Sequence, residues 1–209
     1  MSKLGEAKIF GGIGALLMLI GVVPQTFGIL SLIGFILVFI AIKIIADESK
    51  DKDIFNNYLY SFILVIIAVV VAVAILLMTF TSVGGIEFFT DLQNLAMSNP
   101  TDPMVIFDEI APVLTGLIAA LVIGWIIMIV SVIFLRKSFN KIAEVTNVKW
   151  FATTALLYLI GAFTMIILIG FLILIIAVII EIVAFFSLPE NLPSQASPTQ
   201  DMNIDQPSM

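Results

Sequence analysis

The chain has 209 residues, of which 61% are hydrophobic and 11% charged, with a net charge of −6. A soluble globular protein carries about a quarter of its residues as charged side chains, so this composition excludes that class. Cys and His are both absent, which removes disulfides, thiolate nucleophiles, haem ligation, His-based metal sites and any Ser-His-Asp triad.

The nine basic residues fall into three stretches: Lys3 and Lys8; Lys43, Lys50 and Lys52; Arg136, Lys137, Lys141 and Lys149. Uncharged runs occupy residues 9–42, 54–86, 110–135 and 150–180, each longer than the roughly 20 residues needed to cross a bilayer core. If all basic stretches face the cytoplasm, chain order dictates the topology. The first apolar run would be about 51 Å long as one helix, and basic residues flank both its ends. It must therefore turn back on itself, and Pro24 to Gly28 holds its only turn chemistry. Spans are expected at about 8–23 and 27–46. The segment ahead of this turn lacks a small-x-small cleavage site and is expected to stay in the mature protein.

Residues 47–53 form a charged cytoplasmic link, and a third span is expected over about 54–80. Residues 81–110 make the outer loop, with five carboxylates and no Lys or Arg. Within it, Phe88, Leu92 and Leu95 share one face of a short interfacial helix expected over 87–97. Pro112 is expected to open the fourth span at 111–135. Gly116, Ala120 and Gly124 recur every four residues there, a small-residue ridge that lets a second helix approach closely. A cytoplasmic loop is expected over 136–149. Residues 150–187 are again too long for one span, at about 57 Å, although no Pro or polar turn divides them.

An internal repeat supplies the division. Ala15-Leu-Leu-Met-Leu-Ile-Gly21 recurs as Ala155-Leu-Leu-Tyr-Leu-Ile-Gly161, and Leu32-Ile-Gly-Phe35 as Leu168-Ile-Gly-Phe171. The second copy is four residues shorter at its tip. The last run then reads as a hairpin with spans at about 150–165 and 168–187. Because two helices separate the copies, they run in the same direction, as a parallel repeat. Six spans put both termini in the cytoplasm. Residues 188–209, rich in Pro, Ser and Gln, are expected to be a disordered tail.

Ionisable groups within membrane spans mark functional sites by default, and only Lys43 and Glu181 qualify. They are expected to form an ion pair joining the two hairpins. The outer carboxylates Glu87, Asp91, Asp102, Asp108 and Glu109 match no calcium-loop spacing. The hydroxyls in the spans have no Lys or His beside them in sequence to act as base. No catalytic residue, cofactor-binding residue or metal ligand is assigned, and no cofactor is implied. The basic clusters abut apolar runs without interleaved aromatics, which argues against nucleic acid as a partner.

Leu4-Gly5 through Lys8-Ile-Phe-Gly-Gly-Ile-Gly14, Leu32-Ile-Gly-Phe-Ile-Leu-Val38, Asp53-Ile-Phe-Asn-Asn57, Ala155 to Gly161 and Ala184-Phe-Phe-Ser187 resemble prokaryotic membrane proteins grouped as domain-of-unknown-function family 996. The resemblance covers about residues 4–187. It implies a small integral membrane protein, common among archaea, with no assigned activity and no catalytic residues to carry over.

The expected architecture is thus all-α: a polytopic transmembrane bundle of about six spans over residues 1–187, built from two helical hairpins and two central helices. The expected function is non-enzymatic, in the cell membrane, as a structural or interaction component whose partners are the lipid bilayer and either further copies of itself or a membrane complex. The alternative is a small transporter or channel component for an uncharged or lipidic solute.

Overall fold

The computed structural model describes residues 2–21, 28–98 and 103–193. Among the described residues seven α-helices follow one another: α1 (Lys3–Ile20), α2 (Ile29–Ser49), α3 (Lys52–Ser82), α4 (Glu87–Met97), α5 (Pro103–Thr146), α6 (Trp150–Thr164) and α7 (Ile169–Phe186). No strand occurs among the described residues. Among the described residues five helices, α2, α3, α5, α6 with the turn that follows it, and α7, are long and apolar enough to cross a membrane. Five of the six expected spans are thus matched, and α1, the first of them, differs in that Lys3, Glu6 and Lys8 crowd its first two turns.

The helix ends follow local chemistry. Ser2 caps α1, its Oγ accepting the Gly5 N–H at 3.1 Å. Gly28 enters α2 with φ 71°, a left-handed conformation that glycine adopts without steric penalty. Its neighbours 22–27, which include the expected Pro24-Gln25 turn, lie outside the described residues. Gly84 and Gly85, at φ 91° and 65°, turn the chain from α3 into α4.

The chain forms two compact units. The first comprises residues up to Leu59 together with those from Ile133 onward; the second is Tyr60–Val132. In the first unit α1 and α2 form one antiparallel hairpin and α6 and α7 another, joined where α1 meets α7. A Cβ on Gly34 would strike the Gly14 carbonyl oxygen, and one on Gly170 the Gly161 carbonyl oxygen. Each hairpin therefore closes through direct backbone contact at glycine. A Cβ on Gly11 would meet the Phe185 ring and one on Gly12 the Phe186 ring, so glycine also admits α7 against α1.

The two hairpins differ in register. By the repeat, Gly161 corresponds to Gly21, not Gly14, so the second pair closes nearer its tip. Its shorter connection, a 3-10 turn over Met165–Ile167, draws the contact outward. That turn contains no glycine. Leu168 takes the left-handed position at φ 63° and is 81% exposed, a conformation that costs a non-glycine residue about 1–2 kcal/mol.

Three expectations require correction. Pro112 does not open a helix: α5 starts at Pro103 and carries Pro112 inside it. Proline there removes a donor from the Asp108 carbonyl, but Asp108 is exposed. Residues 136–146 are not a loop, since α5 continues to Thr146 with Ser138, Phe139, Ile142 and Thr146 on one buried face. Packing against the first unit's core keeps this polar stretch helical. The tail does not begin at Leu188. Leu188 and Leu192 are buried in that core, and Lys8 Nζ donates to the Leu188 carbonyl at 3.4 Å. The remainder of the expected tail, from residue 194, lies outside the described residues.

Gly34→Val and Gly170→Val are each expected to lower the unfolding free energy by about 1–3 kcal/mol, the usual cost of overpacking, because the atom in the way is backbone. Denaturant titration in mixed micelles measures this. Equal stability of either variant and the native chain would show that its hairpin does not depend on the glycine contact.

Candidate functional site

Helix α7 buries Ala177, Glu181, Ala184 and Phe185 along one stripe. That spacing carries a carboxylate into the core, where Glu181 is 2% exposed. The Tyr158 hydroxyl, from α6, donates to its Oε2 at 2.5 Å. Tyr58 of α3, 4% exposed, lies within the carboxylate's electrostatic reach.

Both tyrosines belong to a run of aromatic rings in the same core. Tyr58 stacks on Phe139 with centroids 6.4 Å apart and on Phe35 at 6.1 Å. Phe139 meets the edges of Phe151 at 5.7 Å and Tyr158 at 6.4 Å, and Phe151 meets Phe185 at 5.1 Å. The burial of Glu181 keeps water from its carboxylate and strengthens the hydrogen bond from Tyr158. The arrangement can hold one carboxyl proton or one negative charge, and it ties α6 to α7.

Lys43 and Glu181 do not pair with each other. Lys43 bonds Asp47 at 2.8 Å, one turn along α2, and lies 5.1 Å from the centre of the Phe55 ring. The buried stripe of α2 is Val38, Ala41, Ile42, Ile45 and Ala46. Lys43 falls beside that stripe and reaches water, while Glu181 points inward.

Sequence reasoning missed Tyr158, yet the repeat carried a signal. Within the seven matched residues, the one mismatch sets Tyr158 against Met18. Continuing the alignment sets Glu181 against Ile45. Both members of the polar contact are thus departures of the second hairpin from an apolar pattern in the first.

A second polar cluster closes the α2–α3 link. Lys141 Nζ lies 2.9 Å from Asp51 Oδ2 and 2.9 Å from Asp53 Oδ2. Its hydrogen bond to Asp51 holds that carboxyl below its ordinary range, and the same two aspartates raise the Lys141 ammonium. Asp51 gains stability from ionisation. The gain is present above the unfolded carboxylate pKa and is lost as pH falls through the depressed folded value.

In the second unit, a Cβ on Gly116 would strike Thr79, one on Gly124 would come to 4.0 Å of the Ala72 Cβ, and Ala120 is 3% exposed. The ridge Gly116, Ala120, Gly124 therefore receives α3. The Ser61 and Ser131 hydroxyls, 2.9 Å apart, join the same two helices. Towards the α3–α4 turn a groove of about 440 Å³ opens, lined by Val73, Leu77, Phe80, Phe88, Val113 and Leu117 among others. Among the described residues no three carboxylates converge as metal ligands, and Asp102 lies outside them.

A family model described as "Protein of unknown function (DUF996)" matches residues 30–179. Among curated proteins, an uncharacterized protein of Methanocaldococcus jannaschii, MJ1644, is 33% identical over 193 residues, covering 92% of this chain and 97% of the relative. No solved structure matches.

Tyr158→Phe is expected to cost about 1–3 kcal/mol by leaving a buried carboxylate without its donor. The double change Tyr158→Met with Glu181→Ile, which copies the first hairpin, is expected to recover most of that loss. A thermodynamic cycle in mixed micelles measures the coupling, and simple additivity would contradict it. For the partly buried Lys141–Asp51 cluster, Lys141→Met is expected to raise the Asp51 titration midpoint, read by carboxyl carbon NMR. An unmoved midpoint would show that Lys141 does not hold the carboxylate.

Proposed function

The chain belongs to the domain-of-unknown-function family 996, and from that membership and its surface chemistry we propose that it is a multi-pass protein of the cell membrane with its basic segments in the cytoplasm. One observation carries this reading. The long helices turn large apolar side chains outward, with Leu32 64%, Val70 60%, Leu121 63% and Leu172 62% exposed, while they turn Glu181, Ser131 and Ser138 inward. In water such a surface would aggregate; in lipid it is solvated, and the buried polar groups find partners within the protein.

Its role on this reading is non-enzymatic, as a structural or interaction component. The buried polar side chains support that role because they hold helices together. Tyr158 bonds Glu181 across the second hairpin, the Ser138 hydroxyl donates to the Ile54 carbonyl at 2.7 Å, and Ser61 meets Ser131. The partners are lipid and either further copies of the chain or a larger membrane complex. A second reading, a small carrier for an uncharged or lipidic solute, is favoured by the apolar groove of the Tyr60–Val132 unit.

The chain contains no Cys, so single cysteines report topology directly. Ser82→Cys is expected to react with an impermeant maleimide from outside intact cells, and Ser197→Cys only after lysis. Outside labelling of position 197 would overturn the six-span arrangement, and release of the protein by alkaline carbonate would overturn the membrane reading. Specific, saturable flux in proteoliposomes would favour the carrier over the structural component.

A further inference from the structure

We propose that the groove between α3, α4 and the start of α5 binds a membrane amphiphile with a cationic headgroup, its tail in the groove and its ammonium between Glu87 and Glu109. The proposal rests on the membrane reading, since that reading sets the groove in hydrocarbon with its acidic end at the boundary with water.

The tail is specified by the lining. Val73, Leu77, Phe80, Phe88, Val113 and Leu117 present hydrocarbon to a space of about 440 Å³, within the usual range for small-molecule sites. Helix α4 closes one side. Its Phe88 is buried at 6% exposure, and Phe89 packs on Phe80 with ring centroids 6.4 Å apart.

The headgroup is specified by charge. Glu109, Val113 and Leu117 lie at intervals of four on α5, so Glu109 continues the groove-lining face one turn beyond Val113, about 6 Å along the axis. Glu87 directly precedes Phe88 on α4. Both carboxylates are exposed, and neither takes part in an ion pair among the described residues. The described residues of α4 and the start of α5 carry Glu87, Asp91, Asp108 and Glu109 and no Lys or Arg up to Leu135, so the charge at this end is negative. It attracts an ammonium and repels a sulfate or phosphate.

The test uses the full chain in nanodiscs of phosphatidylcholine and radiolabelled hexadecyltrimethylammonium as probe. Saturable binding above that of empty discs is expected, displaced by unlabelled probe but not by hexadecyl sulfate. Leu117→Trp, which fills the groove, is expected to abolish it. Glu87→Gln with Glu109→Gln, both at exposed positions, is expected to weaken it about threefold to tenfold, the scale of two exposed charge pairs. Equal displacement by the sulfate would overturn the proposal, as would undiminished binding by the glutamine variant, which decides the matter even if Leu117→Trp fails to fold. Native chain that enters discs and binds no probe overturns the proposal alone. Native chain that cannot enter discs overturns the membrane reading and the proposal with it.

Discussion

In both hairpins the helices come so close that a methyl group would not fit between their backbones, at Gly14 against Gly34 and at Gly161 against Gly170. On the membrane reading proposed above, apolar side chains alone do not select one partner or one register, because acyl chains solvate them as well as another helix does. Close backbone approach narrows the choice, since only glycine permits it and few alignments set glycine against glycine. Once α1 meets α2 and α6 meets α7, the grooves that receive Phe185 and Phe186 exist. The aromatic rings of the core can then assemble from several helices.

The polar contacts refine this frame. Tyr158 with Glu181, Ser138 with the Ile54 carbonyl, and Lys141 with Asp51 and Asp53 each join segments distant in sequence. Buried polar groups of this kind are costly when mispaired, so they penalise alternative arrangements of interchangeable apolar helices. They enforce one arrangement more than they add to its stability.

Much of the architecture was legible from periodic charge and from the repeat. The positions of Lys8 and Lys43 forced a turn in the first apolar run. Gly161 and Gly170, repeating Gly21 and Gly34, indicated a hairpin in the last run, where no turn residue marks it. The length of α5 was hidden because Pro112 and the charged stretch after Leu135 are local signals for a helix boundary. Tertiary packing overrode the second of these, through Phe139 and Ile142. The site was half legible. Glu181 was recognisable as an ionisable residue in an apolar run, but its partner depended on which way Lys43 faced, and the stripe on α2 sends it outward.

The pairing of Tyr158 and Glu181 against Met18 and Ile45 has a consequence for how one such hairpin can be changed into the other. Tyrosine in place of methionine is tolerable by itself, because Tyr158 is only partly buried and an unpaired neutral phenol costs far less than an unpaired charge. Glutamate in place of isoleucine is not, because Ile45 is fully enclosed and an unpaired carboxylate there has no solvent. A stepwise route that keeps the fold must therefore install the phenol first and the acid second. Reversion must remove the acid first. The contact works as a ratchet: while Glu181 is present, exchanging Tyr158 for an apolar residue is the harder change, so the acid guards the residue that made it admissible.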